Sequence, residues 1–147
     1  MRLKKNLIQS EHCLKMLASK LDSLCIFLDE IYNINLGGCC FISYCIADLL
    51  EKDKIKYVIC IVDDYTEDYL YEFNHAVEHV FISIENTFNI NFWNKNYVTY
   101  PGSSKDLIDY YNIIGEWNSI YDCSKNIYIK KLITNFYYDF TEDFREE

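Results

Sequence analysis

The N-terminal part of the chain carries a regular apolar pattern. Spacings of three and four residues alternate along it, at Leu14, Leu17, Leu21, Leu24, Leu28 and Ile31. This spacing predicts one apolar stripe on an amphipathic helix from near Leu7 to Tyr32. We expect the stripe to pack on the sheet of its own domain. A homodimer through residues 14–31 is the alternative use of the same stripe.

The next segments predict a loop, a helix and a strand. Residues 33–38 interrupt the helical pattern with Asn and Gly and predict a loop. A second, strongly apolar helix is expected over Cys39–Asp53. The run Tyr57–Val62 is rich in β-branched residues and predicts a buried strand.

Two later runs predict a β-hairpin. Glu78–Ile84 and Thr87–Phe92 are joined by Glu85-Asn86, and a two-residue connection that contains Asn suits a tight turn. Tyr97–Tyr100 predicts a further short strand.

The C-terminal third predicts two helices. The first covers Ser104–Ile114, with Ser103 and Asp106 spaced as a cap at its start. The second covers Lys125–Phe140 and begins after a capping Ser124. The fold class is therefore α+β, with N-terminal helices on a small antiparallel sheet and further helices at the C-terminus.

The composition indicates a single domain. The 147 residues are half apolar, and one proline and four glycines leave no linker, so we expect one domain over 1–147 with its core at about 33–100. A formal net charge of −9 argues against nucleic-acid binding, which needs basic surface. The acidic segment 141–147 predicts a solvated tail. No apolar run reaches the roughly 20 residues that span a bilayer, so no membrane association is expected.

Seven cysteines, an odd number that falls mostly on apolar faces, indicate reduced thiols and a cytoplasmic setting. Abundant Asn, Ile, Lys and Tyr suggest an AT-rich genome. A bacterium or a bacteriophage fits, the latter with a location in the host cytoplasm or the virion.

One motif suggests a catalytic site with a nucleophilic thiol. Gly37-Gly38-Cys39-Cys40 opens the second helix, where the helix dipole favours a thiolate and backbone N–H groups can hold an oxyanion. His79 heads a strand some forty residues later and is the usual kind of base for such a thiol. The alternative is that both cysteines are small apolar residues filling a helix–sheet contact.

The predicted hairpin offers a third residue. Pairing of its two strands brings Asn91 near His79, with Asn89 as the alternate. An Asn side chain can hydrogen-bond an imidazole N–H and hold the ring toward a thiol. The competing interpretation is that both Asn residues are exposed strand positions.

The order of cysteine helix, histidine strand and asparagine strand resembles the papain-like fold, over about residues 33–93. The likeness is to transglutaminase-like and compact bacterial or phage members of that superfamily. It implies that Cys39 is the nucleophile, His79 the general base and acid, and Asn91 the residue that orients the histidine. Transglutaminase-like members usually have Asp in that third place.

The resemblance leaves some roles open. In some members an aromatic residue follows the cysteine, which makes Cys40 the alternate because Phe41 follows it. Asn33 and Asn35 are candidates for the oxyanion site. The implied function is a cysteine hydrolase or transferase, peptidase- or transglutaminase-like, that cleaves or exchanges an amide or thioester bond in a protein or peptide.

Metal and cofactor sites fit the sequence less well. No Cys-x-x-Cys or His-x-x-x-His pair lies on a convincing element, so no metal is expected, and no phosphate-binding glycine loop suggests a cofactor. The second function hypothesis is a non-enzymatic accessory protein, for example phage-encoded, that keeps the same fold with an inactive site and binds a protein partner.

Overall fold

A computed structural model describes residues 2–4, 10–32, 34, 38–63, 77–84, 98–100, 102–114 and 123–146. Within these residues the elements are α1 (Glu11–Tyr32), α2 (Cys39–Lys52), β1 (Tyr57–Asp63), β2 (Val77–Ile84), β3 (Val98–Tyr100), α3 (Ser104–Ile114) and α4 (Cys123–Thr141), followed by a 3₁₀ turn over Glu142–Phe144. The predicted α+β class is confirmed.

The three strands form an antiparallel sheet in the order β2-β1-β3. The central position of β1 agrees with its sequence, because Ile59, Cys60 and Ile61 are all buried and the strand was expected to be apolar throughout. The predicted second hairpin strand, Thr87–Phe92, lies outside the described residues.

The α1 leucine stripe packs into the core of the chain itself, as expected. All five leucines of the stripe are buried, and the helix contacts β2 and α4. Ile31, the last member of the pattern, is half exposed instead. The leucine side chains therefore belong to the core of the chain itself.

Helix α2 is the centre of the molecule. It contacts β2, α3 and α4, and buried side chains surround it, as expected of a helix that is apolar on nearly every face. It ends in a Schellman motif, in which the N–H of Ile55 donates to the carbonyl of Leu50 and the N–H of Lys54 to that of Glu51. Lys54 takes the left-handed position of that motif, with φ 58°.

The two C-terminal helices differ in how well their starts were predicted. The Asp106 carboxylate accepts a hydrogen bond from the Ser103 N–H at 2.8 Å, which confirms the cap of α3. The predicted cap of α4 is wrong. This helix begins at Cys123, so Ser124 lies inside its first turn, where serine is also tolerated.

The acidic C-terminal segment is docked, which corrects the expectation of a solvated tail. Thr141 is fully buried, and Arg145 pairs with Leu3 in a β-bridge. The Arg145 guanidinium also contacts both carboxylate oxygens of Asp53, at 3.0 and 2.9 Å. The segment carries one cation among its acidic residues, and the carboxylate of buried Asp53 requires a counter-charge. None of the helices in the described part combines the length and apolar character needed to cross a membrane.

Candidate functional site

The candidate site begins at the N-terminus of α2. Gly38 is the N-cap, with φ −96° and ψ −5°, and no side chain caps the helix. The Gly38 N–H donates to the carbonyl of Ile34 at 2.8 Å, and the Gly38 carbonyl accepts from Ile42 at 3.0 Å. The Gly38 N–H is therefore already engaged by a carbonyl group of the chain.

The two adjacent cysteines have different surroundings. Cys39 is partly exposed, whereas Cys40 is buried and its thiol donates to the carbonyl of Leu107 in α3 at 3.2 Å. Cys40 thus fills the contact between α2 and α3. Of the two, Cys39 is the more exposed residue.

Two other core cysteines, Cys45 and Cys60, have thiols of low reactivity. Cys45 and Cys60 are buried in apolar surroundings, and desolvation raises the pKa of each to about 12. A thiol with so high a pKa carries little thiolate at neutral pH. Cys45 and Cys60 are therefore not candidate nucleophiles.

A buried hydrogen bond joins the cysteine helix to the histidine strand. Ser43 donates its hydroxyl to the carbonyl oxygen of Val80 at 3.2 Å. Ser43 follows Cys39 by one helical turn, an axial rise of about 6 Å. Val80 follows His79 directly, about 3.3 Å along the strand. The contact therefore ties α2, which begins at Cys39, to β2, which contains His79.

The strand is irregular beside His79. Val62 pairs with His79, but Asp63 pairs with Val77, so Glu78 is an extra residue in β2. Such a bulge bends the strand and redirects the residues around it, and bulges are frequent next to active sites. The sequence contains no feature from which this bulge could have been predicted.

The remaining predicted site residues fall elsewhere. Asn91, its alternate Asn89, and the oxyanion candidates Asn33 and Asn35 lie outside the described residues, so their roles stay predictions. Among the residues that the structure does describe, no group of three or more His, Cys, Asp or Glu side chains could hold a metal ion.

Two polar clusters that the sequence did not reveal lie at the other end of α2. The Glu51 carboxylate accepts hydrogen bonds from the Tyr57 hydroxyl at 2.6 Å and from the N–H and hydroxyl of Ser104 at 2.9 and 2.6 Å. The Asp53 carboxylate accepts from Arg145 and from the Tyr137 hydroxyl. Both carboxylates are saturated by partners within the chain, so these clusters hold α2 in place.

Comparison with known proteins identifies no relative: no family model, no curated protein and no solved structure matches the chain.

Proposed function

We propose that the protein is a small cysteine hydrolase or acyl transferase of the papain-like kind, with Cys39 as nucleophile and His79 as general base and acid. The observation that carries the proposal is the hydrogen bond from Ser43 to Val80, which joins the helix that begins at Cys39 to the strand that contains His79. The partial exposure of Cys39 and the bulge next to His79 support it.

The chemistry follows from those two groups. His79 takes the proton of the Cys39 thiol, and the thiolate attacks the carbonyl carbon of an amide or thioester, forming a carbon–sulfur bond. The carbon–nitrogen or carbon–sulfur bond of the substrate then breaks, and His79 returns the proton to the leaving group. Water or an acceptor amine cleaves the enzyme thioester and regenerates the thiol.

Asparagine residues complete the proposed site. Asn91, with Asn89 as the alternate, would accept a hydrogen bond from the imidazole N–H and keep the ring oriented toward sulfur. Asn33 or Asn35 would donate to the oxyanion. A protein or peptide is the proposed substrate.

The second candidate function is a non-enzymatic interaction protein on the same fold. The engaged N–H of Gly38 favours it, because that group already donates to the Ile34 carbonyl and does not point to an oxyanion. In this hypothesis the partly exposed Cys39 is an ordinary thiol and the protein acts by binding a partner.

Alkylation by iodoacetamide, read by intact mass and peptide mapping across pH, separates the two functions. We expect Cys39 to react faster than a model thiol peptide below pH 7 in the wild type and in Cys40→Ala. His79→Gln is expected to remove that advantage. His12→Gln, at an exposed position of α1, is the matched control and is expected to leave it unchanged.

A wild-type Cys39 that reacts no faster than the model peptide below pH 7 would contradict the enzyme proposal and favour the second function. So would an unchanged Cys39 rate in His79→Gln, with circular dichroism to confirm that each variant is folded.

A further inference from the structure

Helix α1 carries a second apolar row beside the buried leucines. Phe27 and Ile31, one helical turn apart, lie on it, and their exposed fractions are 52% and 51%; Met16, 40% exposed, lies three turns before Phe27. Exposed large apolar side chains that follow one helix face, rather than occurring singly, indicate an interaction surface. The row includes Ile31, the exposed last member of the apolar pattern, and lies beside the five buried leucines.

The row borders an open groove between α1 and α4. Its apolar lining consists of Leu24, Phe27 and Leu28 from α1 and Leu132 and Phe136 from α4, and it encloses about 480 Å³. The rings of Tyr32, at the end of α1, and Tyr128, near the start of α4, meet at 6.5 Å. Because residues 20–28 and 132–139 also line one groove, the two helices run antiparallel along it. We call this feature the α1/α4 groove.

The charges of the groove decide which occupant fits it. Lys20 and Asp139 both belong to its lining, at the end away from Tyr32. Among the described residues neither side chain forms an ion pair. A basic partner would require an acidic lining, but this groove presents one positive and one negative charge. A surface with both signs is complementary to itself.

We propose that the α1/α4 groove is the interface of a homodimer. A two-fold axis along the groove places Lys20 of each copy opposite Asp139 of the other, and it lets each Phe27 enter the opposite groove. The same patch then serves both copies, as a closed two-fold dimer requires. The net charge of −9 per chain opposes association only weakly at physiological salt, where the screening length is about 8 Å.

Sedimentation equilibrium over a range of protein concentrations tests the proposal, which is independent of the proposed enzymatic function. We expect a concentration-dependent dimer in the wild type. Phe27→Glu should weaken it by about tenfold or more, since it replaces an apolar side chain that each copy buries in the other with a charge. Ile127→Glu is the control, because Ile127 is 70% exposed on α4 and lies outside the groove lining.

A charge exchange tests the ion pairs themselves. Lys20→Glu and Asp139→Lys should each weaken the dimer, and the double variant, which keeps the net charge of the wild type, should restore it. A monomer at every concentration would overturn the proposal. A dimer that Phe27→Glu weakens no more than Ile127→Glu, or a double variant no stronger than the single ones, would also overturn it.

Discussion

Ser43 of α2 donates its hydroxyl to the carbonyl oxygen of Val80 in β2 across 3.2 Å, within the buried contact between the helix and the sheet. Both residues are almost fully buried. This bond is a direct polar link between the elements that carry the proposed nucleophile and base.

The first prediction concerns that link. Ser43→Ala should lower the free energy of unfolding by about 1 kcal/mol, because it removes a buried hydrogen bond and leaves a small gap. Urea denaturation measures the change. The control is Ser23→Ala, whose hydroxyl donates to the Ser19 carbonyl on the exposed side of α1 and whose loss should change stability by less than about 0.5 kcal/mol. Equal effects of the two variants would contradict the structural role of Ser43.

The second prediction concerns the ion pair between Asp53 and Arg145, whose side chains are each only 7% exposed. Asp53→Asn or Arg145→Met should destabilise the fold by about 3–5 kcal/mol, because each leaves one buried charge without its partner. The double variant Asp53→Asn with Arg145→Met should lose less than the sum of the two single changes. Denaturant titration checks both statements.

A solvated pair provides the comparison for that result. Lys105 and Asp109 form an ion pair on the surface of α3, and Lys105→Met should change stability little. If Arg145→Met behaves like Lys105→Met, the docked C-terminal segment contributes little to the fold.

The third prediction concerns Lys54, the residue with φ 58° after α2. A side chain in the left-handed region is strained by its Cβ, whereas glycine adopts that region without penalty. Lys54→Gly should therefore raise the free energy of unfolding by about 1 kcal/mol, as measured by thermal or urea denaturation. Lys56→Gly, at a nearby exposed position without positive φ, should not stabilise, and a gain there equal to that at Lys54 would contradict the argument.

The fourth prediction concerns pH. Burial alone would raise the pKa of Glu51, but the hydrogen bonds from Ser104 and Tyr57 outweigh it and hold the pKa below its ordinary value. A carboxyl group whose pKa is lower in the folded state stabilises the fold above its unfolded pKa, about 4.3 for Glu. That contribution is lost as the pH falls through the folded pKa.

Urea midpoints measured from neutral pH into the acid range test this dependence. The wild type should lose more stability than Glu51→Gln over that range. Glu11→Gln, on the exposed face of α1, should follow the wild type. A Glu51→Gln profile parallel to that of the wild type would show that the Ser104 and Tyr57 contacts do not act through the carboxylate charge.

Local patterns were sufficient to predict most of the elements. Leucine spacing predicted α1 up to Tyr32, β-branched residues predicted β1, and the spacing of Ser103 and Asp106 predicted the start of α3. These features depend on side-chain periodicity and capping, which act between neighbours in the chain. The start of α4 was missed because serine is favourable both before and within a first turn.

For the candidate site, the sequence identified the candidate cysteine and histidine residues but not the groups that surround them in the fold. It offered two adjacent thiols, with Cys39 as the implied nucleophile and Cys40 as the alternate, and the hydrogen bond to the carbonyl of Leu107, 67 residues away, assigns Cys40 to the core. The bulge at Glu78 was likewise absent from the apolar pattern, because it depends on which residues of β1 and β2 pair. The role of Asn91 remains a prediction.

The sequence by itself determined which segments are helical or extended and which faces are apolar, because periodicity is a local property. Tertiary structure decided which buried groups meet. Asp53 and Arg145 are 92 residues apart, and Glu51 and Ser104 are 53 apart. A polar residue in a sequence does not indicate its partner, since that choice depends on how helices and strands pack. The packing of helices and strands also decides that the leucines of α1 lie in the core, whereas Phe27 and Ile31 are exposed.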